Sequence, residues 1–243
     1  TSPMPPLLFK RSNGTVSYET TDLATILQRQ KEIKPDEIWY CVDARQGLHF
    51  DQVFRAARKV KLIEDKVVLE HIGFGTMNGK DGKPFKTRDG GVMSLKGLIA
   101  LVEEETRKKI NPATVSEEMK EEVAKTVAIA ALKYADLLPF RGTDYIFEPE
   151  KFADLEGKTG PYLLYSTIRM KSLLTKGENL EKGKITKFKS ETEKDIALTV
   201  LRLPTILNKA LDSRSLNDIT EYIYKLTSLY NKFYAENKIL TEE

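Results

Sequence analysis

The sequence predicts an α/β half, a parallel sheet with crossover helices, followed by an all-α helical bundle domain. Three observations carry that expectation. Short apolar runs alternate with amphipathic ones as far as Asn111, which is the strand-helix pattern of parallel pairing with right-handed crossovers. From Thr114 onward the alternation stops and only helical periodicity remains. Composition shifts at Asn111-Pro112, so the expected domains are 1–111 and 112–243.

The bounds fit this plan. A chain of 243 residues has room for one large domain or two ordinary ones. With 40% hydrophobic and 31% charged residues it reads as a soluble globular protein with a charge-rich surface. A net charge of +3 permits RNA binding without demanding it. Cys41 is the only cysteine, which excludes an intramolecular disulfide and a cysteine metal cluster. That usage suits a reducing cytoplasm. No apolar run has the length of a membrane span, and no signal-peptide pattern opens the chain. Thr1-Ser2-Pro3 reads as a cut end.

Taken in order, Leu7 to Lys10 and Val16 to Tyr18 flank the turn signal Ser12-Asn13-Gly14, which predicts a hairpin. Thr20 or Thr21 then caps a helix carrying Leu23, Ile26 and Leu27, ended by Pro35-Asp36. Glu37 to Val42 (EIWYCV) is an apolar strand that delivers Asp43-Ala44-Arg45-Gln46 to a loop. A second helix carries Val53, Phe54, Ala57 and Val60, and Val67-Val68-Leu69 makes the next strand. Ligands of such sheets gather beyond the carboxyl ends of the strands. There Asp43 to His49 would meet the loop that follows His71.

That loop, HIGFGTMNGKDGKPFKTRDGG from His71 to Gly91, is bounded by glycines and carries Lys83, Lys86 and Arg88. Two lysines three apart on such a loop suit a polyphosphate whose charge is gathered and then released. The plain alternative is a surface hairpin. Ser94 then caps a helix with Leu95, Leu98, Ile99 and Val102 on its apolar face. Upstream, Tyr18 and Asp22 stand four apart at a helix entry, with Asp22 expected in the first turn, where the helix dipole favours its ionised form. A carboxylate so placed can take a guanidinium as a planar fork, and Gln46 can add a neutral hydrogen bond. An acid that only stabilises its own helix is the alternative.

The second half predicts a helix over Glu117 to Leu138 closed by Pro139, then an irregular stretch from Gly142 to Asp154 containing Tyr145, Phe147 and Phe152. Thr159-Gly160-Pro161 opens a helix with proline in its first turn. On it Tyr162, Tyr165 and Arg169 share one face, a stripe that can stack on unpaired bases or simply pack. Glu178 to Lys189 is a lysine-rich connection, expected to be mobile. Helices over Ile196 to Leu203 and Thr205 to Leu211 are expected to break at Pro204. The last helix aligns Ile219, Tyr222, Ile223, Leu226, Leu229, Tyr230 and Phe233 as a core face.

Several of these motifs resemble one family. Lys83-Pro84-Phe85-Lys86-Thr87 is similar to the KMSKS signature of class I aminoacyl-tRNA synthetases in its arginyl-tRNA synthetase form. YETTDLA, DARQGLHF and TGPYLLYSTIRMKSLL resemble the same enzymes, the last one near their TGPYLQYAHAR, with a departure at Ser166-Thr167-Ile168. Four motifs in order, spread between Leu7 and Asn237, are far more specific than any one of them.

The resemblance implies a Rossmann-like catalytic half and an anticodon-binding helical domain, in an enzyme that activates L-arginine with ATP and transfers it to tRNA(Arg). It implies Tyr18, Asp22 and Gln46 on arginine, and His49, His71, Gly73, Lys83, Lys86 and Arg88 on ATP. Lys83 and Lys86 would be the catalytic lysines. Tyr162, Tyr165 and Arg169 would lie on the anticodon. Mg2+ would serve as phosphate counter-ion, with no protein metal site and no prosthetic group. The parent enzyme would be a cytoplasmic monomer without membrane or DNA partners. His71-Ile72-Gly73-Phe74 is not the family's HIGH signature, since Phe74 replaces the second histidine and HIGH belongs far upstream. The chain therefore reads as a fragment, inactive alone, without the HIGH half and ending before the family's last helices. Two other readings stand beside this one. The chain could be a non-catalytic tRNA-binding module with a vestigial nucleotide loop, or an unrelated α/β nucleotide-binding protein with a helical partner domain.

Overall fold

Two parallel strands, β1 (Glu37–Asp43) and β2 (Val68–Phe74), pair in register from Glu37 opposite Val68 to Asp43 opposite Phe74. They lie in the first of two compact units, Thr1–Thr76 and Met77–Glu243. The structure is a computed structural model and describes residues 4–83, 93–111, 115–179 and 183–240.

In the first unit, α1 (Tyr18–Glu32) precedes β1, and α2 (Gly47–Lys59) makes the crossover to β2. The helices bury Leu23, Ile26, Val53 and Ala57 against Ile38 of β1 and against Ile63 and Val67. Parallel pairing with an intervening helix follows the sequence expectation. The hairpin does not. It reduces to a single antiparallel bridge between Lys10 and Val16, and Tyr18 is already the first residue of α1. Neither Thr20 nor Thr21 caps that helix. Ser17 stands at the cap in extended conformation, its hydroxyl donating to Leu8 O at 2.5 Å, while the Thr20 hydroxyl donates to Phe9 O. Those bonds pull the chain into the helix early. As a result Asp22 sits one turn in rather than in the first turn, where the acid is Glu19, so a first-turn dipole effect does not act on Asp22.

In the second unit, β3 (Met77–Asn78) pairs parallel with β4 (Tyr145–Ile146). Around them lie α3 (Leu95–Lys109), α4 (Glu117–Leu137) and the short α5 (Pro149–Phe152). The stretch read as irregular thus holds a strand and a helical turn. Ser94 caps α3 as expected, accepting from Gly97 N at 3.1 Å. Leu98 and Val102 of α3 pack on Ala128, Ala131 and Ala135 of α4, with Phe147 fully buried beside them. Asn111, on one side of the expected boundary, follows α3 inside this unit, and Pro112 lies outside the described residues.

The bundle continues with α6 (Gly160–Lys176), α7 (Glu191–Leu201), α8 (Leu203–Ser213) and α9 (Asn217–Glu236). Thr159 caps α6 by accepting from Tyr162 N at 3.2 Å. The break between α7 and α8 comes at Arg202, before Pro204, which occupies the first turn of α8 where its missing N–H leaves no bond unmade. Helix α7 begins earlier than its apolar pattern because Ser190 accepts from Glu193 N at 3.2 Å. The apolar stripe of α9 is only half-buried, with Ile223 40% exposed, and the buried side chains of that helix are Thr220 and Thr227. Helix α9 packs on α4 and α6 as well as on α7 and α8, so its polar face is enclosed too. Thr220 stays satisfied there through bonds to Asn217 O and Leu137 O.

Candidate functional site

Two constellations stand out, one in each unit. In the first, Tyr18, Asp22, Gln46 and His49 line one cleft with Val42 and Phe50, about 460 Å3 in volume. The trio expected to hold a guanidinium is brought together. Helix α1 supplies Tyr18 and Asp22, while a single 3-10 turn (Ala44–Gln46) after β1 supplies Gln46, at the amino end of α2. This is the carboxyl end of the parallel strands, as the fold class requires.

His49 is 8% exposed and its Nε2 lies 2.7 Å from Asp22 Oδ2. A carboxylate only accepts, so Nε2–H is the donor. His49 Nδ1 is buried with no partner. The pairing ties Asp22 through one oxygen, Oδ2. Rings continue the support: Tyr18 lies 4.7 Å from His49, His49 packs edge-on to Phe50 at 4.8 Å, and His71 stacks on Phe50 at 4.7 Å. His71 Nε2 donates to Val42 O at 3.1 Å, fastening β2 to the end of β1. Gly73 lies under the 3-10 turn, where a Cβ would stand 3.0 Å from Ala44 Cα. Asp43 binds Arg45 through its backbone N–H at 2.8 Å and its guanidinium at 2.9 and 2.6 Å. Those bonds lower the Asp43 carboxyl to about 2.

Of the lysine loop, Lys83 is described and exposed. Its carbonyl accepts from Gly79 N at 2.8 Å and its N–H donates to Asp81 Oδ1 at 3.1 Å, which closes a turn. Lys86 and Arg88 lie outside the described residues. Among the described residues no group of three or more His, Cys, Asp or Glu side chains could hold a metal ion. Nor, among the described residues, is any helix long and apolar enough to cross a membrane.

The second constellation joins Tyr162, Tyr165 and Arg169 of α6. The Arg169 guanidinium lies over the Tyr165 ring at 4.7 Å and over the Tyr234 ring at 4.9 Å. It donates to Tyr165 OH at 2.9 Å and to Asn231 Oδ1 at 3.2 Å. Asn231 Nδ2 in turn donates to Tyr162 OH at 2.9 Å and to Ser166 Oγ at 2.8 Å. Beside this cluster lies a cavity of about 550 Å3, lined among others by Tyr165, Arg169, Lys176, Tyr234 and Lys238. Cations with aromatic faces are the surface that takes unpaired nucleotides. Sequence reasoning missed Asn231 and Tyr234, and it did not pair His49 with Asp22. A signal for the first two was present: Thr220, Thr227, Asn231 and Tyr234 recur at helical spacing on the polar side of α9.

Comparison with known proteins agrees with both halves. Residues 1–149 match the family described as tRNA synthetases class I (R), catalytic domain, and residues 163–243 match the DALR anticodon binding domain. The arginine–tRNA ligase of Agathobacter rectalis is 44% identical over 257 residues, covering 100% of this chain and 43% of the relative. That of Alkaliphilus oremlandii is 43% identical over 244 residues, covering 98% and 41%. The chain therefore spans less than half the length of these curated relatives. Two solved structures share the fold. The arginyl-tRNA synthetase of Plasmodium falciparum superposes with a TM-score of 0.75 at 23% identity over 96% of this chain and 40% of that one. The Thermus thermophilus arginyl-tRNA synthetase gives 0.76 at 20% identity over 96% and 43%. With its strand-helix segment followed by a helical bundle, the chain belongs to the class I (R) tRNA synthetases, carrying part of their catalytic domain and a DALR anticodon binding domain.

Proposed function

We propose that this chain is the later part of an arginine–tRNA ligase, with residues 1–111 completing the nucleotide-binding catalytic half and 112–243 holding the anticodon. The observation that carries the reading is the convergence of Tyr18, Asp22 and Gln46 on one cleft at the strands' carboxyl ends. Asp22 binds the arginine guanidinium as an ionised acceptor, oriented by His49, and Tyr18 and Gln46 add neutral bonds. In the first step the arginine α-carboxylate attacks the α-phosphorus of ATP, and the bond to the leaving pyrophosphate breaks. In the second a terminal hydroxyl of tRNA(Arg) attacks the aminoacyl carbonyl and AMP leaves.

His49, His71, Gly73, Lys83, Lys86 and Arg88 are the residues proposed to face ATP. Of these, His49 and His71 already bond Asp22 and Val42, which favours a supporting role for both. Mg2+ is proposed to act as counter-ion to the ATP phosphates. Tyr162, Tyr165 and Arg169 are proposed to contact the anticodon, and the work belongs to the cytoplasm. The test is arginine-dependent exchange of pyrophosphate into ATP, measured on the longest natural form of the protein with and without Asp22→Asn. Removing the charge from Asp22 should weaken arginine capture by about 1.5–3 kcal/mol. Exchange that ignores arginine would refute the ligase reading, and RNA binding without any exchange would point to a tRNA-binding module.

A further inference from the structure

We infer that Asn231 is a positioning residue that fixes how Arg169 is presented to RNA, and thereby sets how strictly the bundle discriminates an unpaired loop. The inference rests on the anticodon reading above. Asn231 does not line the cavity beside Arg169, so it acts through that residue.

Its amide can adopt only one orientation. Oδ1 faces the Arg169 guanidinium, which has donors and no acceptor, so a flipped amide would set donor against donor. On the other side Nδ2 faces two hydroxyl oxygens, Tyr162 OH and Ser166 Oγ. Ser166 is fully buried and spends its proton on Tyr162 O at 2.9 Å, so its oxygen is left to accept from Asn231. One α9 side chain therefore bonds three α6 side chains, including two of the three residues expected to face RNA along with the buried serine that supports them.

The consequence for Arg169 is a defined plane. Tyr165 and Tyr234 hold it from their ring faces, and Tyr165 OH and Asn231 Oδ1 each take one N–H. A guanidinium has five N–H donors, and those directed elsewhere remain for a phosphate or a base edge. A guanidinium pinned at two atoms offers that fork at a fixed angle, and fixed geometry is what separates one base edge from another. Without Asn231, Arg169 keeps one of these two hydrogen bonds, to Tyr165 on its own helix, together with the ring faces of Tyr165 and Tyr234.

The test uses the 243-residue chain and fluorescence anisotropy. The probes are an RNA hairpin bearing an arginine-tRNA anticodon loop and hairpins with each loop nucleotide replaced in turn. Asn231→Leu keeps the volume and removes the polar bonds; it should weaken the cognate hairpin about tenfold and shrink the ratio between hairpins. Asn231→Asp keeps the side-chain shape but ion-pairs Arg169, so the slope of log affinity against log salt should fall by about one. Asn231→His, with a donor and an acceptor nitrogen, should restore part of the discrimination. Circular dichroism and melting establish that each variant is folded. If Asn231→Leu does not fold, the salt slope of Asn231→Asp and the discrimination of Asn231→His decide. Folded variants with wild-type discrimination and salt slope would overturn the inference while leaving the anticodon reading intact. A wild-type chain that treats all the hairpins alike would overturn both.

Discussion

Asp22 Oδ2 on α1 and His49 Nε2 on α2 stand 2.7 Å apart, so the two helices of the first unit meet in a charge-assisted hydrogen bond at the edge of the candidate arginine cleft. With His49 almost buried and packed between Tyr18 and Phe50, its ring is held and Asp22 is held by it. His49→Ala should therefore raise the arginine requirement by about 1.5–3 kcal/mol, the value of a hydrogen bond to a charged group. His49→Gln keeps an N–H donor and should retain most of the affinity. Arginine and ATP saturation curves separate the two roles open to His49. A rise confined to the ATP curve would assign the ring to the nucleotide instead.

Gly160 at the start of α6 has no room for a side chain, because a Cβ there would stand 2.1 Å from Ala130 O of α4. The obstacle is backbone, so the helices themselves must separate. Gly160→Ala should destabilise the second unit by about 1–3 kcal/mol or more, the usual range for overpacking. Gly183, where an added Cβ would meet nothing within 4 Å, supplies the control substitution. Thermal melting that is unchanged in Gly160→Ala would show that α4 and α6 do not approach as described.

The sequence made element type legible wherever the apolar period was long or a cap was unambiguous. Ser94 and Thr159 cap α3 and α6 as their side chains suggest, and EIWYCV is a strand. Reading failed where a long-range bond decided the matter. Ser17 rather than Thr20 starts α1 because hydroxyls in that segment reach the carbonyls of Leu8 and Phe9, a contact no local pattern announces. The α9 stripe was legible as a hydrophobic face but not as the less buried one. Periodicity shows which residues share a face and is silent about how many neighbours the helix has. The cleft residues were legible through resemblance, whereas the partner of Asp22, twenty-seven positions away, became visible only in three dimensions.

Asp43 supplies a pH signature close to the same cleft. Hydrogen bonds from Arg45 lower its carboxyl from 3.8 to about 2. Because the folded value lies below the unfolded one, the stabilising contribution is fully present above about pH 4 and is lost as pH falls toward 2. A carbon-detected titration of the Asp43 carboxyl should have its midpoint near 2, and Arg45→Ala should return it toward 3.8. A midpoint of 3.8 in the unaltered chain would mean that the Asp43–Arg45 fork does not persist in solution.

The lysine loop provides the test that bears on chemistry. Lys83 and Lys86 are proposed to act as point charges on the pyrophosphate that departs as the adenylate forms. Charge on that group grows along the reaction, so two ammonium groups should bind the transition state better than bound ATP. Lys83 is exposed at the foot of the loop, its main chain held by Gly79 and Asp81 while its side chain reaches outward. In the longest natural form of the enzyme, Lys86→Ala should cost about 2.7–4 kcal/mol of transition-state stabilisation, by analogy with loss of an oxyanion donor. ATP affinity should change much less. Single-turnover adenylation and equilibrium ATP binding, measured on the same variant, separate the two quantities. Weaker ATP binding with turnover intact would make the loop a ground-state clamp. No change in either would leave Gly79–Lys83 as the base of an ordinary surface turn.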